Sequence, residues 1–293
     1  MSDKVSVLIP VYNRAELIVR SIRCALSQTY RNLEVVVSDN ASTDDTWQVV
    51  QRVATADSRV RAFRNDTNLG PTRNWIRALS EATGDYVKFL FSDDWLDPTC
   101  IERLVARMQG QADISLAFTA AMAHHRDRNE PLHYFPETSW FTATDYIRRS
   151  LLAEAGMPVS PCCALVRRSA ARFRHPIAAK AIRLNEIGER YGAGPDLLFL
   201  LGAAAASERI AYIPEFLTHF DGGRTSITIT HWPIVKTGYE LAREQYAAEV
   251  AHVPELSDIR RKLAIRRWRH NFRGWRQTIK QAIGLGRRPA PQG

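Results

Sequence analysis

Apolar runs that stop abruptly at polar residues recur through the first third of the chain. Val5 to Val11 is apolar apart from Ser6 and ends at Tyr12-Asn13, and Leu33 to Val37, interrupted only by Glu34, runs into Ser38-Asp39-Asn40-Ala41-Ser42-Thr43-Asp44. Such runs predict buried strands over 5–11 and 33–38 that carry polar side chains to the carboxyl edge of a sheet, the edge at which open α/β sheets bind ligands. Between them, Leu17, Ile18, Ile22, Ala25 and Leu26 fall on one face of a helix over 14–28. The alternation continues with a helix from Ser42, whose Ser-Thr-Asp-Asp opening suits free N–H groups. A strand over 59–64, a helix over 70–82 and a strand over 86–91, introduced by Gly84-Asp85, complete this part. Strands and helices alternating at this spacing imply right-handed crossovers and an α/β fold with a mostly parallel sheet.

After Asp97-Pro98, an N-cap and first-turn pair, a helix is expected to about residue 109. The pattern then predicts a strand over 113–121, a helix over 142–153, a strand through Cys163-Ala164-Leu165-Val166, an Ala-rich helix over 195–207 and a strand over 209–217. Helices follow, with a frayed end over 286–293. This divides the chain into a domain over 1–228, with halves over 1–97 and 98–228, and a helical basic extension over 229–293.

A chain of 293 residues, 45% of them hydrophobic, is long enough for one sizeable core. No apolar run reaches the roughly 18 residues of a membrane span, and the chain enters a strand almost at once rather than a signal peptide, so the expected location is cytoplasmic. Cys24, Cys100, Cys162 and Cys163 form no C-x-x-C pattern and read as small buried apolar residues. The net charge of +9 is concentrated in the tail, where eleven Lys/Arg face two Asp/Glu from Glu255 onward. At about 100° per residue, Ile265, Trp268, Phe272, Trp275, Ile279 and Ile283 form a stripe flanked by Arg266, Arg269, Arg273, Arg276 and Lys280. That helix suits an anionic membrane surface, which would make the protein peripheral on the inner face of the cell membrane; it equally suits packing against the body, with the arginines solvated. Nucleic-acid recognition motifs are missing from the sequence, and no nucleic-acid partner is expected.

Four blocks, Ile9-Pro10-Val11-Tyr12-Asn13, Ser38-Asp39-Asn40-Ala41-Ser42-Thr43-Asp44, Asn68-Leu69-Gly70-Pro71-Thr72-Arg73-Asn74 and Phe89-Leu90-Phe91-Ser92-Asp93-Asp94, stand in order over residues 5–97. Together they resemble the family 2 inverting glycosyltransferases of the GT-A fold. The resemblance implies transfer of a sugar from a nucleotide-diphosphate sugar, UDP-linked before dTDP-linked, to a hydroxyl of a glycan or lipid-linked acceptor in cell-surface polysaccharide synthesis. It places Pro10, Val11, Tyr12, Asn13, Asp39, Asn40, Asn68, Gly70, Arg73, Ser92 and Asp93 around the nucleotide, with Asp39 accepting from the base N–H and Arg73 close to the nucleotide. Asp39 also reads as a turn residue, and Arg73 as a solvated helix charge.

The resemblance further implies a divalent cation, Mg²⁺ or Mn²⁺, at Asp93, hard oxygen ligands being suited to either. Phe91 stands where relatives carry the first carboxylate of Asp-X-Asp. Asp94, His219 and Arg224 are secondary candidates. The general base is expected at Asp196, in Gly192-Ala193-Gly194-Pro195-Asp196-Leu197-Leu198, with Glu186 and Glu189 in reserve; an Asp after Pro also suits a helix dipole. Two rivals follow from the residues: a sugar nucleotidyltransferase, disfavoured because Val11-Tyr12-Asn13-Arg14-Ala15-Glu16 contains no glycine for a phosphate loop, and a non-catalytic scaffold, suggested by Phe91.

Overall fold

The structure, a computed structural model, describes residues 3–136, 139–173, 182–222 and 230–266. The first half follows the expected alternation: β1 (Val5–Val11), α1 (Ala15–Leu26), β2 (Leu33–Asp39), α2 (Thr46–Ala56), β3 (Val60–Arg64), α3 (Pro71–Ser80) and β4 (Tyr86–Phe89). Then come β5 (Trp95–Leu96), α4 (Cys100–Met108), β6 (Leu116–His124), β7 (Asn129–Leu132), β8 (Trp140–Thr142), α5 (Ala143–Leu151) and β9 (Ala164–Arg167). The described chain continues with α6 (Ile182–Tyr191), α7 (Pro195–Ala205), β10 (Arg209–Asp221) and α8 (Trp232–Glu249).

One sheet runs in the order β3-β2-β1-β4-β9-β6-β10-β5, with β7 beside β6 and β8 beside β10. β3, β2, β1 and β4 are mutually parallel, as expected. β9 is antiparallel to both β4 and β6, and β10 is parallel to β6, so β6 and β10 point the same way as β1 to β4. The carboxyl ends of β1, β2, β3, β4, β6 and β10 therefore meet at one edge, which holds Val11, Asp39, Arg64, Ser92 to Asp94, His124 and Asp221.

Every residue of β1 and β2 is buried because helices cover both faces. Val5, Val7, Ile9 and Val11 join Val35, Val37, Ile18, Ile22, Val50 and Leu104 on the α1/α2/α4 side. Leu8 and Val36 join Trp75, Ala78, Leu198, Phe199, Tyr239 and Tyr246 on the other. Period-two alternation thus sorts the strand residues between two cores, each buried Val, Leu or Ile contributing about 1.5–3 kcal/mol. α7 is apolar all round and lies inside the second core, between the sheet and α8. α8 begins the stretch expected as an extension, and it buries Val235, Tyr239, Ala242, Tyr246 and Ala247 in that core. No helix among the described residues is long and apolar enough to cross a membrane. The stripe over 265–283 lies outside the described residues beyond Arg266, as does the end over 286–293.

The opposite edge of the sheet is held by a buried carboxylate. Glu34 accepts from Ser6 Oγ at 2.6 Å, from Thr83 N and Thr83 Oγ1 at 2.8 Å each, and from Lys4 Nζ and Arg61 Nη1 at 3.1 Å each. Burial alone would raise its pKa, but the Ser6, Thr83 and Lys4 hydrogen bonds prevail and bring it to about 2. The folded state thus holds the proton less tightly than the unfolded chain, so this stability is present above pH ~4.5 and lost as pH falls through about 2. E34Q is expected to lose about 2 kcal/mol at pH 7, measurable as a lower urea midpoint that converges on wild type in acid.

Candidate active site

Three loops are stapled together at the carboxyl edge. Asn13 adopts a φ of 50°, which asparagine tolerates better than most residues. Its N–H donates to Ser42 Oγ at 3.0 Å, and its Oδ1 accepts from Thr43 N at 2.8 Å. Asn40 N donates to Val11 O at 2.9 Å. The Asn40 side chain donates to Asn68 Oδ1 at 2.8 Å and accepts from Asn65 Nδ2 at 3.0 Å and Leu69 N at 2.9 Å. Asn40 and Asn68 therefore shape the backbone of this edge. Tyr12 (40% exposed) and Leu69 (37%) stand free on two of the bonded loops, while Pro10 and Val11 are buried beneath them.

Asp39 is fully buried at the end of β2. Its carboxylate accepts from Ser42 N at 3.1 Å and Ser42 Oγ at 2.5 Å, and pairs with Arg64 Nε at 3.3 Å. Arg64 is its register partner on β3, so strand pairing delivers the counter-charge. Gly70, with a φ of 78°, begins α3; a Cβ there would lie 2.1 Å from Glu189 O, so the close approach of α6 requires glycine. Arg73, one turn on, pairs with Glu189 at 2.6 Å with both side chains about half exposed. The arginine expected beside the nucleotide is thus held by one of the two reserve bases.

β4 delivers the acidic segment. Phe91 places its ring 5.3 Å from Trp75 and 6.5 Å from Phe89, joining an aromatic floor that includes Phe173 and Phe199. Ser92 is buried, and its carbonyl accepts from Ser21 Oγ at 3.0 Å. Asp93 is partly buried, and its backbone carbonyl accepts from Arg20. Among the described residues its carboxylate meets only its own N–H; burial, and then nearby Asp221, raise its pKa against the pull of Arg14 and Arg20. Asp94 is engaged differently: it accepts from Asp221 N at 3.1 Å and from the Cys162 thiol, and burial and Asp93 push its pKa well up. Asp94 thereby ties β4 to β10 and to the Cys162 turn.

His219 is engaged by His124 and Trp95. Its Nδ1 lies 3.0 Å from His124 Nε2, and its ring stacks on Trp95 at 5.4 Å; burial and His124 hold its pKa below the usual range. Arg224 lies outside the described residues.

Asp196 opens α7 and is 5% exposed. Oδ1 accepts from Gly194 N at 2.9 Å and Leu197 N at 2.8 Å, and Oδ2 accepts from Tyr239 Oη at 2.7 Å. Burial pushes its pKa up to about 7 against those three hydrogen bonds. One turn on, Phe199 sits 5.6 Å from Phe89, which anchors the start of α7 near the end of β4.

Sequence reasoning missed Arg20, Arg64, Trp95, His124 and Tyr239. Only Arg64 had a legible signal, the parallel register that sets it opposite Asp39. Arg20, which pairs with Asp221 at 3.5 Å and lies over Trp95 at 4.8 Å, reads in sequence as one more polar helix position.

The family model described as Glycosyl transferase family 2 matches residues 6–173, more than half of the chain. The chain belongs to that family. Among family 2 relatives, the Escherichia coli UDP-Glc:alpha-D-GlcNAc-diphosphoundecaprenol beta-1,3-glucosyltransferase WfaP is 37% identical over 107 residues, covering 36% of this chain and 42% of WfaP. The Campylobacter jejuni GalNAc(5)-diNAcBac-PP-undecaprenol beta-1,3-glucosyltransferase is 39% identical over 94 residues, covering 32% of this chain and 30% of that protein. The matches thus span less than half the length of these relatives. The crystal structure of Staphylococcus aureus TarS 1-349 in complex with UDP-GlcNAc superposes with a TM-score of 0.66 at 20% identity, covering 90% of this chain and 72% of TarS. The GT-A-type α/β fold expected from the sequence is thereby established for this family 2 chain.

Proposed function

We propose that the chain is an inverting glycosyltransferase that moves a sugar from a UDP-sugar to a hydroxyl of a lipid-linked glycan acceptor, in cell-surface polysaccharide synthesis. The observation that carries this reading is the convergence on one sheet edge of a buried Asp39, flanked by the Tyr12 and Leu69 loops, and an Asp93 carboxylate that, among the described residues, is in no ion pair, Arg14 and Arg20 acting on it only from a distance. Two relatives support it by name, both glucosyltransferases on undecaprenol-linked acceptors.

In this reading Pro10, Val11, Tyr12, Asn13 and the Asn40–Asn68–Gly70 loop border the base and ribose, and Asp39 accepts from the uracil N–H. Ser42 and Arg64 hold the Asp39 carboxylate for that contact. Arg73, released from Glu189, would approach the diphosphate. Asp93 fits a hard divalent cation, Mg²⁺ or Mn²⁺: its carboxylate is in no ion pair among the described residues, and Asp221 is close enough to raise its pKa against Arg14 and Arg20. No group of three or more His, Cys, Asp or Glu converges among the described residues, so donor phosphates and water would complete its coordination. Bound there, the cation would neutralise charge on the departing diphosphate. Asp196, with a pKa near 7, is matched to accepting the acceptor hydroxyl's proton at neutral pH. A lipid-linked acceptor would bring the enzyme to the inner face of the membrane, with the basic 265–283 stripe as its contact.

The test is transfer of label from UDP-[¹⁴C]glucose and UDP-[¹⁴C]GlcNAc to a synthetic sugar-diphospho-lipid, with product configuration read by NMR. Transfer from an α-linked donor into a β-linked product is expected. An α-linked product would contradict inversion, and nucleotide binding without transfer to any hydroxyl would favour the scaffold reading that Phe91 suggests.

A further inference from the structure

Helix α8 lies beyond the segment matched by the family model, yet it reaches the proposed base. Its approach is backbone-close: a Cβ on Gly238 would lie 2.7 Å from Ala193 O and 2.8 Å from Ile187 Cγ2, and one on Gly194 would lie 3.0 Å from Gly238 O. The next residue, Tyr239, is buried and donates its hydroxyl to Asp196 Oδ2 at 2.7 Å.

We propose that Tyr239 is a positioning residue for the transfer reaction, orienting the Asp196 carboxylate and favouring its ionised form, so that α8 completes the catalytic site. This rests on the reading of Asp196 as the base. Backbone N–H groups fix Oδ1, leaving Oδ2 as the oxygen that can take a proton, and Tyr239 sets its direction. α6 contributes the apolar Leu184 and Ile187 to this core. On α8 the buried charge beside this pair is Arg243, whose guanidinium lies 5.9 Å from the Tyr239 ring and donates to Ser150 O at 3.0 Å on α5. Arg243 is felt by Asp196 as well as by Tyr239, Glu240 and Arg266, so it is a second, more distant charge on the Asp196 carboxylate.

A phenol donating to a carboxylate favours the charged form, so its loss moves the Asp196 pKa up from about 7. The experiment compares pH profiles of kcat/KM for wild type, Y239F and D196N, each first shown to melt cooperatively. The Y239F acid limb is expected to move up by about one pH unit, giving roughly tenfold lower activity below the limb and near-wild-type activity on the alkaline plateau, while D196N is inactive throughout. An inactive D196N with a Y239F profile superimposed on wild type, even at a lower melting temperature, would overturn the proposal and reduce the contact to packing. An active D196N would instead overturn the base assignment itself.

Discussion

D93N is expected to lower transfer by about a thousandfold, about 4 kcal/mol in the barrier, and to remove the effect of Mn²⁺ on UDP affinity. The reason is local. Asp93 sits partly buried in the loop after β4, and among the described residues nothing cationic is bonded to its carboxylate. Asp94 is committed to Asp221 N and the Cys162 thiol. Amide replacement at Asp93 therefore removes a group available to an ion while leaving the hydrogen bonds that hold β4, β10 and the Cys162 turn. The check pairs a transfer assay with a melting curve, and an active D93N with unchanged Mn²⁺ response would remove Asp93 from the metal site.

D196N is expected to cost a factor of about a thousand in kcat without loss of stability at pH 8. Burial raises the Asp196 pKa to about 7 from an ordinary 3.8, so between those values the folded protein keeps a proton that the unfolded chain has released. Stability therefore falls as pH rises through this window, by about 4 kcal/mol in all. An amide carries no such penalty and still accepts from Gly194 N and Leu197 N. Wild type should lose stability between pH 4 and 7 while D196N stays flat, and at pH 8 D196N should melt no lower. A marked drop in its melting temperature at pH 8 would identify Asp196 as a structural cap of α7 instead.

The first half of the fold was legible because each of its elements carries its own period. β1, β2 and the α1 face read directly from apolar runs and i, i+3, i+4 spacing, and the observed bounds differ from the expected ones by few residues. The second half was harder. β6 begins at Leu116 rather than 113, and β5, β7, β8 and α6 were not anticipated. β5 has two residues and β8 three, too short for any period, and β7, Asn-Glu-Pro-Leu, is partly exposed and has no apolar face. The antiparallel turn of β9 depends on pairing with β4 and β6, a long-range choice that no local pattern encodes.

At the site, single positions were legible where a motif fixed them: Asp39, Asn40, Asp93 and Asp196 all lie at strand ends, edge loops or helix starts, as expected. Their partners were not. Arg64 meets Asp39 through strand register, and Tyr239 meets Asp196 across 43 residues of chain. Arg73 shows the converse, since its motif is intact but its guanidinium is held by Glu189, 116 residues away. Three of the four cysteines are fully buried and Cys24 partly, in keeping with their reading as small apolar residues.

We propose a uridine-diphosphate pocket on the carboxyl edge with a cation at Asp93. It is tested most directly by calorimetric titration of the purified chain with UDP, dTDP, GDP and CDP, each with Mn²⁺ and then with EDTA. UDP is expected to bind tightest and to lose most of its affinity in EDTA. Equal binding of all four nucleotides, or of none, would contradict it.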